Sequence, residues 1–358
     1  MLVETSLREL GISEVADAAR VAESLGFDGL TFSEVRQDPF IAATVAATAT
    51  QRVQLATSVA IAFPRSPMLV AYQTRNLQDL SGGRFSVGLG TQVRGHIQRR
   101  FSSEWDPPGP RLREYVQSLR AIWQCWQGEA PLDFRGHFYS FTLMTPEFNL
   151  GPSGYPTRIQ LAAVNPYNIA TAATLCDGLR VHSFCTAEYL RDVIWPRVER
   201  AAAAAGRSLD GFEMIGCGFI ATGPTLEQVA RAREWVRRRV AFYASTRAYA
   251  PVLEHHGWGE LGPPLRALIA EQRWSELSTL VDDTMLDHFC VAAPYEDLAE
   301  RVSARLAGLV DRIHFVLPED TQRERTRIER MLEGLRQVPT AHASYRPAGG
   351  TRHGVPTR

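Results

Sequence analysis

Short apolar runs alternate along this chain with longer amphipathic stretches, and this alternation restricts the possible folds more than any other feature of the sequence. The apolar runs that read as strands cover residues 3–6, 29–33, 53–60, 84–89, 159–164, 178–182, 212–220 and 313–317. Helical stretches separate nearly all of them, so the strands should be parallel, because parallel neighbours require crossover connections. Eight such strands favour an α/β fold of the (β/α)8 TIM barrel type over an open doubly wound sheet.

The helical stretches are recognised by apolar residues that recur every three or four positions. This pattern is clearest at residues 111–127. A second helix is predicted at 226–242, where Thr225 and Gln228 have the spacing of a capping box. Helices of this kind are the connections that a parallel sheet needs.

The chain is longer than a plain barrel, since 358 residues exceed the roughly 250 that the eight βα units use. We expect the excess in insertion segments near 128–156 and 244–287 and in a tail at 338–358. The tail is basic and rich in Gly and Pro, and it is predicted to be disordered. No second-domain linker is visible, so residues 1–337 are predicted to form one barrel domain with insertions.

Charge and cysteine content exclude several functional classes. Lys and Arg number 39, and so do Asp and Glu, so no net charge favours nucleic acid or an anionic membrane as partner. No apolar run approaches the roughly 18 residues of a transmembrane helix, and the N-terminus lacks a signal-peptide layout. The five cysteines contain no Cys-x-x-Cys and resemble reduced thiols. We therefore predict a cytoplasmic protein, and we further expect a homo-oligomer, a dimer.

Polar residues that end apolar strands are the first candidates for chemistry, because TIM-barrel active sites lie at the C-terminal ends of the strands. Glu34 follows the second predicted strand and His182 ends the sixth. Each could be a general acid or base. A structural histidine or a salt-bridged glutamate is the alternative for either residue.

The end of the fourth strand carries glycines and then basic residues. Gly88 and Gly90 could let a backbone approach a phosphate closely, or they could serve a tight strand–loop bend. Val93 stands where a Gly-x-Gly-x-x-Gly fingerprint would need glycine, so a dinucleotide-binding fold is weakly supported. Arg94 and His96 are close enough to the strand end to reach an anion.

The end of the fifth strand predicts a helix start. Asn165 is a good N-cap and Pro166 suits the first helical position. The free N–H groups of this helix would face the active-site end, where they could bind a phosphate. An ordinary helix cap without a ligand is the other interpretation.

No metal site is predicted from the sequence. His255 and His256 are adjacent, so their side chains point apart on any regular element, and neither a His-Glu-x-x-His motif nor a carboxylate cluster is present.

Several stretches, taken in order, resemble the luciferase-like monooxygenase superfamily, and within it the deazaflavin branch that uses coenzyme F420. The resemblance covers roughly residues 1–318. Among its most specific motifs is Ser-Gly-Gly-Arg-Phe at 81–85, before a Gly-x-Gly strand end. The matching stretches are residues 26–34, 38–39, 57–67, 80–94, 113–116, 131–139, 177–178 and 242–246.

The resemblance implies a (β/α)8 barrel with a flavin or deazaflavin across the strand C-termini. It also implies a non-prolyl cis peptide at Ser58–Val59, whose bulge would press on the middle ring, and a phosphate held near the fourth to sixth strands. The cofactor-binding residues predicted in this way are Ser58, Val59, Gly90, Thr91, Gln92, Arg94, Ala162, Ala163, Val164, Asn165 and Gly178.

One departure from the family pattern affects the predicted chemistry. Many deazaflavin enzymes place Asp-His after the second strand, whereas this chain has Glu34-Val35. The predicted catalytic residues are therefore His182, Glu34 and His96. Aromatic residues of the insertions and their surroundings should cap the substrate pocket, namely Phe138, Tyr139, Phe141, Tyr243 and Trp258.

The resemblance thus implies an oxidoreductase that transfers a hydride between coenzyme F420 and a small organic substrate. The alternatives are an FMN-dependent monooxygenase on the same fold and a barrel that acts only as a binding protein, since a fold alone does not determine a function.

Overall fold

A closed barrel of eight parallel strands forms the centre of the protein. The computed structural model describes residues 1–7, 10–316 and 323–342. In chain order, the strands are Leu2–Ser6 (β1), Gly29–Phe32 (β2), Gln54–Thr57 (β3), Ala60–Ile61 (β4), Phe85–Gly90 (β5), Phe134–Arg135 (β6), Ser140–Phe141 (β7), Ile159–Ala163 (β8), Gly178–Val181 (β9), Glu213–Ile215 (β10), Phe219–Gly223 (β11), Cys290–Pro294 (β12) and Arg312–His314 (β13). The barrel order is β3-β2-β1-β13-β10-β9-β8-β5, and β3 pairs with β5 to close it. The predicted (β/α)8 TIM barrel is confirmed.

Helices surround the barrel. In chain order, they are Val15–Leu25 (α1), Pro39–Ala49 (α2), Pro67–Leu80 (α3), Arg94–Arg99 (α4), Pro108–Gln127 (α5), Pro166–Leu175 (α6), Ala187–Tyr189 (α7), Trp195–Ala204 (α8), Leu226–Ala244 (α9), Ala250–His255 (α10), Gly262–Ala270 (α11), Asp283–Phe289 (α12), Leu298–Leu306 (α13) and Arg325–Arg336 (α14). A π-helical turn, Leu190–Ile194, joins α7 to α8. Half of the capping box predicted before α9 forms, because Thr225 Oγ1 accepts the Gln228 amide at 3.3 Å, whereas Gln228 Oε1 has no hydrogen-bond partner among the described residues. None of the helices in the described ranges is both long and apolar enough to cross a bilayer.

Two predicted strands are interrupted in the structure. The run at 53–60 breaks at a cis Ser58–Val59 bond, and the chain resumes as β4 alongside β5. The run at 212–220 breaks after β10, because Gly216 and Gly218 adopt left-handed backbone conformations, with φ of 78° and 70°. These glycines direct the chain out of the barrel into β11. Strand β11 pairs in parallel with β12, a strand that the sequence analysis did not anticipate.

The predicted insertion near 128–156 contains a short antiparallel hairpin of β6 and β7. Helix α5 anchors this hairpin through Glu114, whose carboxylate accepts the amides of His137, Phe138 and Tyr139 at 2.9, 2.7 and 2.6 Å. The predicted insertion near 244–287 contains α10, α11 and most of α12.

The predicted disordered tail requires a correction at its beginning. Residues 338–342 pack against the barrel, since Val338 is only 5% exposed and its carbonyl accepts a hydrogen bond from the Met1 amine at 2.8 Å. Residues 343–358 lie outside the described residues, and so does Leu317, the last residue of the eighth predicted strand.

A charged network lies inside the barrel, towards the N-terminal ends of the strands. Arg180 pairs with Glu4 at 2.9 Å and Arg312 pairs with Glu213 at 3.0 Å. Gln160 connects the two pairs, donating to Glu213 at 2.8 Å and accepting from Arg180 Nε at 2.8 Å. All five side chains belong to residues that are at most 6% exposed. Because side chains alternate along a strand, this network identifies the inward-facing positions of β1, β8, β9, β10 and β13.

Candidate active site

Four inward positions at the mouth of the barrel carry small or uncharged side chains. Each lies two residues beyond an inward residue of the charged network or of β5, and the four are Ser6, Gly90, Ala162 and His182. A β-carbon placed on Gly90 would lie 2.7 Å from Val59 Cγ2 and 3.7 Å from Ala162 Cβ. Glycine at this position therefore lets Val59 lie against β5. The result is a floor of apolar atoms at the strand ends.

The segment that carries Val59 is fixed to β5 by backbone contacts. The Ser58–Val59 peptide is cis, which confirms the prediction. One residue earlier, the Thr57 hydroxyl donates to the Gly88 carbonyl at 2.7 Å and accepts from the Gly88 amide at 2.8 Å. A β-carbon on Gly88 would lie 1.9 Å from the Thr57 carbonyl oxygen. Gly88 thus makes room for the backbone of Thr57. The sequence analysis expected a glycine that approaches a phosphate or forms a tight bend, and Gly88 does neither.

Glu34 is used to position this same region. Its carboxylate pairs with Arg65 at 2.7 Å and accepts the Ile61 amide at 2.7 Å, and its side chain is 7% exposed. Arg65 also pairs with Asp38 at 2.6 Å. Both carboxylate oxygens of Glu34 are thus bound to a guanidinium or an amide. This is the salt-bridged arrangement that the sequence analysis gave as the alternative to a general acid or base.

His182 lies at the mouth among aromatic rings. It stacks on Tyr249, with ring centroids 4.7 Å apart, and meets Tyr243 edge-on at 4.6 Å. Its Nδ1 accepts the Phe184 amide at 3.0 Å. Burial lowers the pKa of His182 to about 4. At neutral pH the ring is therefore neutral with its proton on Nε2, so it can donate a hydrogen bond, but it does not carry the extra proton of an imidazolium acid.

We expect the low pKa of His182 to make the fold sensitive to mild acid. An unfolded histidine binds a proton below about pH 6.5, whereas the folded one does so only near pH 4. The unfolded state therefore binds more protons in this interval, and stability should fall as the pH drops from about 6.5 to 4. Urea unfolding at several pH values should show a steeper acid loss for the wild type than for His182→Gln. Parallel pH profiles, or an NMR titration of His182 with a midpoint near 6.5, would contradict this.

The other predicted residues of the fourth strand end lie at the rim. Thr91 and Gln92 follow β5, and Gln92 has a left-handed φ of 60°. Arg94 is paired with Asp106 at 2.6 Å, and both side chains are more than half exposed. His96 is exposed on α4. The structure thus leaves Thr91 and Gln92 near the mouth, whereas Arg94 is engaged at the surface and His96 contributes no buried group.

Helix α6 begins as the sequence predicts. Asn165 is its N-cap and accepts the Asn168 amide at 2.8 Å, and Pro166 occupies the first turn. The Ile169 amide bonds to the Asn165 carbonyl. Since proline has no N–H, the Tyr167 amide is the one first-turn donor for which the described residues supply no partner. Val164, half-buried, precedes the cap and lines a neighbouring cavity.

Two predicted cofactor-binding residues need correction. Gly178 begins β9 and so lies at the N-terminal end of the barrel, where a β-carbon would meet the Glu213 carbonyl at 2.9 Å. It cannot reach the mouth. Ala163 alternates with the inward-facing Gln160 and Ala162, so its side chain faces the surrounding helices, and only its backbone can contribute to the mouth.

A small, partly open cavity lies beside His182, behind the ends of β8 and β9. Its walls include Ala163, Val181, His182, Tyr189 and Val252. Of the predicted aromatic cap, Tyr243 contacts His182 directly. Tyr139 instead packs on Tyr115, with centroids 5.5 Å apart, and Trp258 stacks on His256 at 4.5 Å. Sequence reasoning missed Tyr249 and Arg65, although Arg65 lies within the stretch 57–67 that carried the family resemblance.

The fold and these groups define the class of protein. It is a TIM barrel with an apolar floor at the C-terminal ends of its strands, the end where active sites of such barrels lie. The sequence profile of the luciferase-like monooxygenase family matches residues 3–312. The chain belongs to this family.

Individual relatives agree with this assignment. An uncharacterized protein of Mycobacterium tuberculosis is 41% identical over 303 residues, which cover 84% of this chain and 89% of that protein. An F420-dependent glucose-6-phosphate dehydrogenase of Nocardia farcinica is 31% identical over 227 residues, covering 59% and 66%. Among solved structures, the coenzyme F420 dependent tetrahydromethanopterin reductase from Methanopyrus kandleri superposes with a TM-score of 0.74 at 20% identity, covering 94% and 98%.

Proposed function

We propose that this protein is a coenzyme F420-dependent oxidoreductase that transfers a hydride between the deazaflavin and a small organic substrate. The observation that carries the proposal is the apolar floor of Val59 and Ala162, in which Gly90 lets Val59 lie against β5 at a place where any β-carbon would clash with it. A planar ring system fits such a surface, because it can rest on apolar atoms without leaving a buried charge unpaired. The similarity to F420-dependent relatives supports the same conclusion.

The residues at the mouth suit the parts of this cofactor. Val59 and Ala162 would support the ring, and the Tyr167 amide at the start of α6, with Thr91 and Gln92, would bind the phosphate of the tail. When bound, F420 supplies the hydride chemistry at its ring. His182, as a neutral Nε2–H donor, would hold a polar atom of the substrate. The aromatic rings of Tyr243 and Tyr249 would keep water from that hydrogen bond.

Reconstitution of the full-length protein with each cofactor tests the proposal. We expect F420 to bind with its violet absorbance band and the bound, reduced cofactor to be oxidised in a single turnover by an acceptor substrate. Binding of FMN with its longer-wavelength band, and none of F420, would instead identify a flavin monooxygenase. If neither cofactor binds, the protein is a binding barrel and the proposal is wrong.

The position of the ring can be tested by placing a charge in the floor. Ala162→Asp should raise the Kd of F420 at least about tenfold, because a carboxylate at the mouth would need desolvation beside an anionic cofactor. Ala203→Asp, on the exposed face of α8, is the matched control and should bind F420 as the wild type does. Fluorescence titration gives both constants. Equal affinities for the two variants would move the ring away from Ala162.

A further inference from the structure

Three potential metal ligands from different parts of the chain meet outside the barrel mouth. Glu188 lies in α7, His256 follows α10, and His288 lies in α12. One ligand atom from each of these three side chains lies within 4.8 Å of the other two. The sequence analysis considered only His255 and His256 as neighbours, and it missed that folding brings His288 and Glu188 to one of them.

The three side chains of this cluster lie close to one another. His288 Nδ1 lies 3.3 Å from Glu188 Oε1, and the rings of His256 and His288 have centroids 4.9 Å apart. Glu188 Oε2 is shielded from solvent and accepts no hydrogen bond from the residues that the structure describes. A buried carboxylate oxygen without a partner is costly, and a cation would remove that cost.

Two further contacts are made at the edge of the cluster. His256 Nε2 lies 2.8 Å from the hydroxyl oxygen of Thr186, one residue before α7. The nearby Arg305 is engaged with the carbonyls of His288 and Cys290.

We propose that Glu188, His256 and His288 bind a divalent transition-metal ion of the Zn²⁺ type. Two imidazoles and one carboxylate form a donor set that suits Zn²⁺, whereas Ca²⁺ and Mg²⁺ prefer oxygen ligands. All three residues are half-buried, so an ion can enter and a water can complete the coordination.

The ion would join three segments of the chain and stabilise the wall of the cavity beside His182. Tyr189, next to Glu188, and Val252, in α10, both line that cavity. A metal bound here would fix the segment after β9 to the segment that contains α10 and α12. This role concerns the protein whether or not its cofactor is F420.

The experiment uses tag-free, full-length protein treated with a chelator and then titrated with Co²⁺ as a spectroscopic probe. We expect one Co²⁺ per chain, visible d–d bands of a low-coordinate site, displacement by Zn²⁺, and a higher Tm with Zn²⁺. Glu188→Gln, which preserves side-chain shape, and His256→Ala and His288→Ala should each weaken Co²⁺ binding at least about a hundredfold.

His255→Ala is the matched control, because His255 is adjacent to the cluster but lies beside Asp192, with its Nε2 3.4 Å from that carboxylate. It should retain the Co²⁺ bands and the Zn²⁺-dependent rise in Tm. The proposal is overturned if the wild type binds no Co²⁺. It is also overturned if Glu188→Gln and the His256 and His288 variants bind Co²⁺ as the wild type does.

Discussion

Gly88→Ala is expected to destabilise the protein by about 3 kcal/mol or more, at or above the upper end of what overpacking of a core usually costs. The new methyl carbon would lie 1.9 Å from the Thr57 carbonyl oxygen, which is backbone and cannot rotate away. Strands β3 and β5 would have to separate, and both hydrogen bonds between the Thr57 hydroxyl and Gly88 would be lost. Since this pairing closes the barrel, the loss should affect the whole fold.

Gly154→Ala provides the control for this substitution. Gly154 lies in an exposed loop, has no atom within 4 Å of an added β-carbon, and does not adopt a left-handed φ. Its replacement should leave stability unchanged or slightly increased. Urea unfolding followed by circular dichroism measures both variants. If Gly88→Ala unfolds at the wild-type urea concentration, the close approach of β3 to β5 is wrong.

Arg180→Met should destabilise the protein by about 3–5 kcal/mol, the usual range when one partner of a buried ion pair is removed. The substitution removes both hydrogen bonds from Arg180 to Glu4 and the one to Gln160, while the contact of Glu4 with Arg312 at 3.3 Å remains. The double variant Glu4→Gln/Arg180→Met should be more stable than Arg180→Met alone, because it removes the buried carboxylate charge that Arg180 no longer balances. Arg231→Met, which breaks an exposed pair with Glu227, should have little effect.

The pH dependence of this effect has a definite sign. Burial raises the pKa of Glu4, but Arg180 and Arg312 lower it more, so the folded pKa lies below its ordinary value. The stabilisation is therefore present above about pH 4.3, the value for an unpaired glutamate, and is lost as the pH falls through the folded pKa. The difference in unfolding free energy between wild type and Arg180→Met should shrink on acidification. A difference that is constant between pH 7 and pH 3 would contradict the charge-based explanation.

The fold was predictable because apolar periodicity and helix spacing are local properties of a sequence. Each predicted strand corresponds to a barrel strand, and one of the two interrupted runs, residues 212–220, contained a visible signal of interruption. Gly216 and Gly218 could have marked the end of β10, since paired glycines in a strand pattern favour a bend. Strand β12 was missed because its pairing partner, β11, lies about seventy residues earlier, and no local pattern encodes that pairing.

The site was less predictable because its chemistry depends on distant partners. The family resemblance predicted the cis bond at Ser58–Val59, but no sequence pattern predicted that Arg65 would engage Glu34 across 31 residues. Gly178 was assigned to the mouth because a dipeptide motif does not reveal at which end of a strand it lies. The pKa of His182 depends on its burial, which follows from the packing of α9 and α10 and not from its own position in the sequence.

The small two-stranded sheet of β11 and β12 has a consequence for how this protein can diversify. Because the two strands are parallel, the chain leaves β11 at Gly223 and re-enters the sheet at its other end, where Cys290 lies opposite Phe219. Helices α9, α10, α11 and α12 make this connection, and Val252 of α10 lines the cavity beside His182. Lengthening or replacing these helices would alter the cavity wall while the pairs β9–β10, β10–β13 and β1–β13 keep their registers. The helices between β11 and β12 can therefore vary in length or sequence, and with them the wall of this cavity, while the barrel strands keep their pairing.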